Sequence, residues 1–131
     1  MNIDWITKKT DDGAITIYNN NITLNKQAAE FFQDAYCVAI GIDGETKNLV
    51  IKSVSKTEAD LEKELSKNQY YKIAMSKSYG RIAGKSLINE LAEYYNLNFS
   101  NQVAYKYSAK WNNGYKMLII NMKEQEEREN E

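Results

Sequence analysis

The chain has 131 residues, of which 43% are hydrophobic and 27% charged, a composition typical of one compact domain or two very small ones. No apolar run approaches the roughly 20 residues of a membrane-spanning helix, and we expect no secretory signal because residues 1–10 lack an apolar segment. With no histidine and one cysteine, Cys37, the sequence argues against a zinc site or a histidine-based triad. A lone cysteine cannot form an internal disulfide, so we expect a cytoplasmic protein.

The net charge of −1 hides an uneven distribution of charge along the chain. Residues 70–123 contain eight basic residues and two acidic ones, whereas residues 124–131 contain five glutamates and one arginine. A basic half followed by an acidic tail indicates nucleic-acid binding, although solvated surface lysines produce the same pattern. The pI of about 5.6 for the whole chain argues against a dedicated nucleic-acid binder.

The first half of the chain predicts short strands, one helix and a hairpin. Alternating β-branched residues and a cluster of three asparagines predict two strands joined by a turn. Asn25 is a favourable N-cap for the helix, and Gly44 marks the turn of the hairpin. The predicted elements are strands at 14–18 and 22–24, a helix at 26–35, and strands at 36–42 and 48–54.

A charged stretch then leads into a second set of elements in the same order. Residues 55–70 predict a linker that carries a short surface helix. The Asn113-Gly114 pair is a strong hairpin signal near the end of the chain. The predicted elements of this half are strands at 71–76 and 81–83, a helix from 84 to 95, and strands at 102–111 and 115–122.

The repeated order of elements predicts an α+β fold that is mostly β and contains two tandem strand–helix–hairpin modules. The predicted organisation is an N-terminal extension (1–13), module 1 (14–54), a charged linker (55–70), module 2 (71–123) and an acidic tail (124–131). The tail contains no apolar residue, so we expect it to extend past the last strand as a solvated helical end or a disordered segment.

Two stretches of sequence carry a resemblance to a known superfamily. The run ITIYNNNITLNKQAAEFF at residues 15–32 resembles the AbrB/MazE swapped-hairpin module, and Gly80-Arg81-Ile82 is similar to the family's glycine–arginine–aliphatic turn. Two such modules in one chain resemble the MraZ-like branch. The resemblance implies a pseudo-dimeric barrel with exchanged hairpins, as a monomer or a homo-oligomer. It also implies a bacterial-type transcriptional regulator that binds double-stranded DNA.

The same resemblance implies that DNA contacts come from basic residues around the turn and the helix start. Arg81 best matches that role, because an arginine fork can bind guanine through two hydrogen bonds. Lys77 and Lys85 flank it and are expected to bind phosphates. The remaining candidates in the basic half are Lys72, Lys106 and Lys110.

Other readings of the sequence remain open. The main alternative is a protein-binding module, antitoxin-like or a phage-type modulator, whose acidic tail docks on a basic partner without DNA binding. The aromatic and basic run from Tyr105 to Trp111 could stack nucleobases, but strand alternation favours a core face. Cys37 reads as a buried structural thiol, since no histidine is present to activate it. We predict no catalytic site, no cofactor and no metal.

Overall fold

The computed structural model describes residues 1–3, 12–62 and 69–125, which form an α+β structure made mostly of strands. Eight strands and three helices occur in these residues. Their bounds, in chain order, are β1 (Gly13–Ile17), β2 (Asn21–Asn25), α1 (Lys26–Glu30), β3 (Cys37–Ile42), β4 (Leu49–Val54), α2 (Lys56–Glu62), β5 (Ala74–Met75), β6 (Tyr79–Ala83), α3 (Lys85–Tyr95), β7 (Tyr105–Asn112) and β8 (Met117–Gln125). The prediction of a mostly-β, α+β fold is therefore confirmed.

Two helix ends show how local sequence determines the elements. Asn25 accepts a hydrogen bond from the backbone N–H of Ala28 at 3.0 Å and so caps α1. The predicted helix over 26–35 ends early, because from Phe31 onward the backbone forms i→i−3 bonds. This tightening occurs where Phe31 and Phe32 both pack against Trp111. Helix α3 ends at Asn96 in the left-handed conformation, which asparagine tolerates.

All strand pairs are antiparallel and form one curled sheet in the order β3-β4-β8-β7-β1-β2-β6-β5. A bridge links the two ends of this sheet. The N–H of Val38 in β3 donates to Tyr71 at 2.8 Å, and the N–H of Tyr71 donates back to Val38 at 2.9 Å. The curl therefore brings the first edge strand against the segment that precedes the last one.

Several of the pairings join the first half of the chain to the second. Strand β1 pairs with β7, β2 with β6 and β4 with β8. The pairs formed inside one half are the four formed by strands adjacent in sequence, β1–β2, β3–β4, β5–β6 and β7–β8. Neither half can therefore complete the described sheet alone.

One hydrophobic core fills the inside of the curled sheet. The inward side chains of seven strands, all except β5, meet there with the buried faces of α1 and α3. Phe32 is the largest fully buried side chain, and Ile88 and Leu91 anchor α3. Burial of this apolar surface is the main force that holds the curl together. The described residues contain no buried polar or charged residue.

Three predicted segments, the N-terminal extension, the linker and the tail, contain residues that the structure does not describe. The N-terminal extension includes residues 4–11, and the linker includes residues 63–68, neither of which is described. Within the linker, residues 56–62 form helix α2. Strand β8 reaches Gln125, so the first two residues of the predicted tail belong to a strand, and residues 126–131 are not described.

Candidate nucleic-acid interface

The central feature of the candidate site is the pair of neighbouring strands β2 and β6. Their register places Thr23 directly opposite Arg81, and strand alternation points both side chains away from the core. The inward neighbours Ile22, Leu24 and Ile82 are fully buried. This alternation presents Arg81 on the outer surface, where it is exposed.

Close packing favours glycine at position 80, next to Arg81. A Cβ atom at this position would lie 3.3 Å from the Cβ of Ala29 in α1 and 3.2 Å from the Cδ1 of Ile73. The absence of a side chain lets α1 approach β6 closely. Gly80 thus allows close helix–strand packing on the inner face of the sheet, and Arg81 places a cation on the outer face.

The guanidinium of Arg81 is oriented by Tyr79. Its Nη2 donates to the hydroxyl of Tyr79 at 3.3 Å, and its Cζ lies 5.5 Å from the centre of the Tyr79 ring. The ion pair seen between described residues, Lys52 with Glu58 at 3.7 Å, does not involve Arg81. Arg81 therefore has no carboxylate partner in the described part of the chain.

A shallow open cavity of about 430 Å³ lies beside this arginine. Two polar side chains on its wall are joined by hydrogen bonds: the Thr23 hydroxyl donates to Asn21 at 2.8 Å, and the Asn21 amide donates to Asn20 at 2.7 Å. The lining residues are Tyr18, Asn21, Thr23, Tyr79 and Arg81. These groups combine aromatic surface, hydroxyls, an amide and one cation.

The register also connects Arg81 to Lys106 across four strands. Lys106 lies opposite Thr16, Thr16 opposite Thr23, and Thr23 opposite Arg81. Three strand spacings separate the two ends of this row, or about 14 Å along the curved sheet. No residue of β1, β2, β6 or β7 is acidic. The four strands of the row therefore contribute cationic side chains and no acidic one.

A second cavity, of about 390 Å³, lies over β7 and β8 and contains two further lysines. Lys110 lies on the same side of β7 as Lys106, four residues further on. Lys123 lies in β8, beyond an irregularity in the β7–β8 pairing at Tyr107 and Ala109. Basic residues thus occur on the outer surface from β6 to β8.

The other three predicted residues occupy separate positions. All are exposed. Lys77 lies in the turn between β5 and β6, and Lys85 is the first residue of α3, so the two lie beyond opposite ends of β6. Lys72 precedes β5. The register therefore groups Arg81 with Lys106, whereas Lys72, Lys77 and Lys85 lie outside that row.

Four residues of the cavity were not among the predicted site residues: Tyr18, Asn21, Thr23 and Tyr79. Tyr79 could have been found, because it directly precedes the Gly80-Arg81 pair. The other three come from the first half of the chain. Only the β2–β6 register brings them to Arg81, and nothing in the local sequence specifies that pairing.

Two other sequence interpretations are confirmed by burial. Tyr107 and Ala109 are buried, and Trp111 stacks on Phe31 with ring centres 4.8 Å apart. The alternating face of β7 is therefore core and does not offer rings for stacking. Cys37 is also buried, and burial, with a smaller effect of the Glu58 charge, raises the pKa of its thiol. This shift disfavours the reactive thiolate.

No family model, curated protein or solved structure matches the chain. No helix within the described ranges has the length and apolar character needed to cross a membrane.

Proposed function

We propose that this chain is a DNA-binding transcriptional regulator of the AbrB/MraZ type, in which the two halves form a pseudo-dimer with exchanged hairpins. The pairing pattern supports the exchange. Strand β1 of the first half pairs with β7 from the hairpin of the second, and β3 from the hairpin of the first half meets Tyr71 in the second. Each hairpin thus lies against the opposite half.

The observation that carries DNA binding is the position of Arg81. It lies at the middle of β6, on the exposed side of two adjacent antiparallel strands, and no described carboxylate pairs with it. Strands β2 and β6 lie inside the eight-stranded sheet, so in this proposal Arg81 meets DNA from an exposed sheet surface. Its guanidinium can donate two parallel hydrogen bonds to the O6 and N7 atoms of guanine.

The surrounding lysines supply contacts of a different kind. Three lysines supply ammonium groups: Lys106 in the same cross-strand row, and Lys77 and Lys85 beyond the two ends of β6. An ammonium binds phosphate as a point charge and releases condensed counterions, which contributes affinity without sequence preference. In this proposal Arg81 selects a base, and the lysines hold the duplex.

The proposal is tested by fluorescence anisotropy with labelled duplex DNA over a series of salt concentrations. We expect Arg81→Lys to weaken binding to a preferred duplex by about 1–3 kcal/mol, because lysine cannot reproduce the fork. Lys77→Gln and Lys85→Gln should weaken binding to all duplexes alike and reduce the slope of log K against log salt by about one unit each. Lys56→Gln, an exposed lysine in α2, is the matched control.

Two outcomes would contradict DNA binding. One is the absence of binding to any duplex at about 50 mM salt, where phosphate contacts are strong. A chain ending at Gln125 is measured beside the full chain, because the acidic residues 126–131 can compete with phosphate for the same lysines. If neither chain binds DNA, the protein-binding alternative replaces the regulator. The other outcome is binding that Arg81→Lys, Lys77→Gln and Lys85→Gln leave unchanged, which would locate the interface elsewhere.

A further inference from the structure

We infer that the cavity beside Arg81 binds an unpaired nucleotide, so that the β2–β6 surface prefers single-stranded over double-stranded DNA. This inference rests on the nucleic-acid binding proposed for the same surface and does not require that the bound form is a duplex. It begins with the two tyrosines of the cavity, Tyr18 and Tyr79, whose side chains are each 36% exposed. Nucleobases stack on such rings with little sequence preference.

The two rings stand at different positions around Arg81. Tyr79 lies opposite Asn25 at one end of β2, and Tyr18 lies beside Asn21 at the other end, to which its backbone N–H donates at 2.8 Å. Arg81 and Thr23 lie between them. Because the guanidinium is held at the Tyr79 ring, the Tyr18 side of the cavity remains for a flat aromatic group. A base placed there has a ring on one side and a cation on the other.

The polar groups of the cavity suit the rest of a nucleotide. The Thr23 hydroxyl and the Asn21 amide are joined by their own hydrogen bonds, so their remaining donor and acceptor positions have a fixed direction. Arg81 can bind a phosphate through charge-assisted hydrogen bonds. The cavity is shallow and open, with a volume of about 430 Å³, so a nucleotide can enter it from solvent. One nucleotide therefore matches the cavity in chemistry.

The form of the nucleic acid follows from stacking. In a duplex both faces of every base are covered by its neighbours, so a base can stack on a protein ring only when it has left the helix. A single strand offers its bases freely, and its backbone can continue from Arg81 along the row toward Lys106, about 14 Å away. A basic path beside aromatic rings is the usual arrangement of single-strand binding surfaces.

The test compares a labelled twelve-residue oligothymidylate with a duplex of equal length at equal salt, using the full chain and fluorescence anisotropy. The wild-type chain should bind the single strand more tightly. Tyr18→Leu should raise its Kd for the single strand about ten-fold through loss of stacking, with a change below about two-fold for the duplex. Tyr18→Phe keeps the ring and should bind like wild type. Tyr115→Leu, which removes a 69% exposed tyrosine in the β7–β8 turn, is the matched control.

Each result decides between the two claims. Tighter duplex binding together with an unchanged Kd in Tyr18→Leu overturns the nucleotide site and leaves the regulator proposal standing. Single-strand binding without duplex binding supports the site and overturns the duplex regulator. If the chain binds neither the single strand nor the duplex, both the nucleotide site and the duplex regulator are overturned. Equal losses in Tyr18→Leu and Tyr18→Phe would also overturn the inference, because they would show that the hydroxyl matters and the ring does not. Thermal melting of each variant checks that it is folded.

Discussion

The two halves of the chain have the same order of elements but join the sheet through unequal contacts. Strand β1 pairs with β7 over five residue pairs, from Gly13–Ala109 to Ile17–Tyr105. Strand β3 meets the second half through one bridge, between Val38 and Tyr71, which precedes β5. The same succession of strands therefore produces a long ladder on one side of the curl and a minimal contact on the other. Element order alone does not specify how strongly a sheet is held.

The turns of the two halves are alike in geometry although their residues differ. Lys47 and Lys116, each near the start of the second hairpin strand, both have a positive φ of about 60° (64° and 56°). Asp43 and Asn112 each accept a hydrogen bond from a backbone N–H three residues ahead. The Asp43 carboxylate also accepts from Glu45, and these backbone bonds lower its pKa. Similar backbone geometry is thus stabilised by different side chains.

The β1–β2 and β5–β6 turns extend the comparison to the candidate site. The N–H of Tyr18 donates to Asn21 at 2.8 Å, and the N–H of Ser76 donates to Tyr79 at 2.9 Å. If these turns are aligned, Thr23 takes the place of Arg81, the residue it faces across the β2–β6 pair. The centre of the exposed surface therefore carries an arginine from one half and a threonine from the other. Equal geometry does not imply equal chemistry.

The largest effect we expect concerns the short helix of the first half. Helix α1 has five residues, and Phe32, which follows it, is fully buried with its ring 5.4 Å from that of Trp111. Phe32→Ala should lower the free energy of unfolding by about 3–5 kcal/mol, measured by urea denaturation. Leu91→Ala in the longer α3 should cost less, because Leu87 and Ile88 also anchor that helix.

Tyr36→Ala is the control for this comparison, since that side chain is exposed and should change stability by at most about 0.5 kcal/mol. A greater loss of stability for Leu91→Ala than for Phe32→Ala would contradict this ranking.

A smaller effect should distinguish how the two helices begin. The Asn25 side chain accepts from the backbone N–H of Ala14 at 3.1 Å and from that of Ala28 at 3.0 Å, so it joins β1 to α1. The corresponding cap of α3 is Gly84, which has no side-chain bond. Asn25→Ala should cost about 1–2 kcal/mol in thermal unfolding, because two backbone donors lose their partner.

The exposed Asn89 in α3 provides the comparison variant, since Asn89→Ala removes an asparagine that caps nothing. We expect it to leave the melting temperature nearly unchanged. Equal losses from Asn25→Ala and Asn89→Ala would mean that the capping bonds contribute nothing.

Alkaline pH should weaken the fold through two tyrosines of the second half. Burial is the main cause that raises the pKa of Tyr95 and that of Tyr107 to about 12, above the ordinary value of 10. The unfolded chain therefore loses these protons first as pH rises. The stabilisation is complete below pH 10 and is lost between pH 10 and pH 12. At pH 11 we expect a loss of about 1 kcal/mol for the largely buried Tyr107, measured by urea denaturation.

Tyr107→Phe removes the titrating hydroxyl and should flatten this pH dependence, whereas Tyr115→Phe changes an exposed tyrosine and should not. If Tyr107→Phe and wild type lose stability in parallel above pH 10, the buried hydroxyl of Tyr107 is not the group responsible.

The smallest effect tests the difference at the centre of the sheet. Thr23→Arg supplies the cation that the first half lacks, directly opposite Arg81. It should tighten duplex binding about three-fold and steepen the salt slope by about one unit. Thr57→Arg adds the same charge to the exposed surface of α2 and serves as the matched control. Equal gains from both variants would indicate that net charge, rather than position, determines affinity.

The sequence by itself determined the local elements of this protein. Alternation of β-branched residues defined β1 and β2, Asn25 defined the start of α1, and glycine and asparagine turns defined both hairpins. These features depend on neighbours within a few residues, so they can be read along the chain.

Only the tertiary structure decided which strands pair. The register that places Thr23 opposite Arg81, and Lys106 three strands away in the same row, joins residues separated by many positions in sequence. Tyr18 became part of the cavity for the same reason. The early end of α1 likewise depends on Trp111, a distant residue against which Phe31 stacks. Long-range pairing is selected by the shared burial of many apolar side chains at once, and no local stretch contains that information.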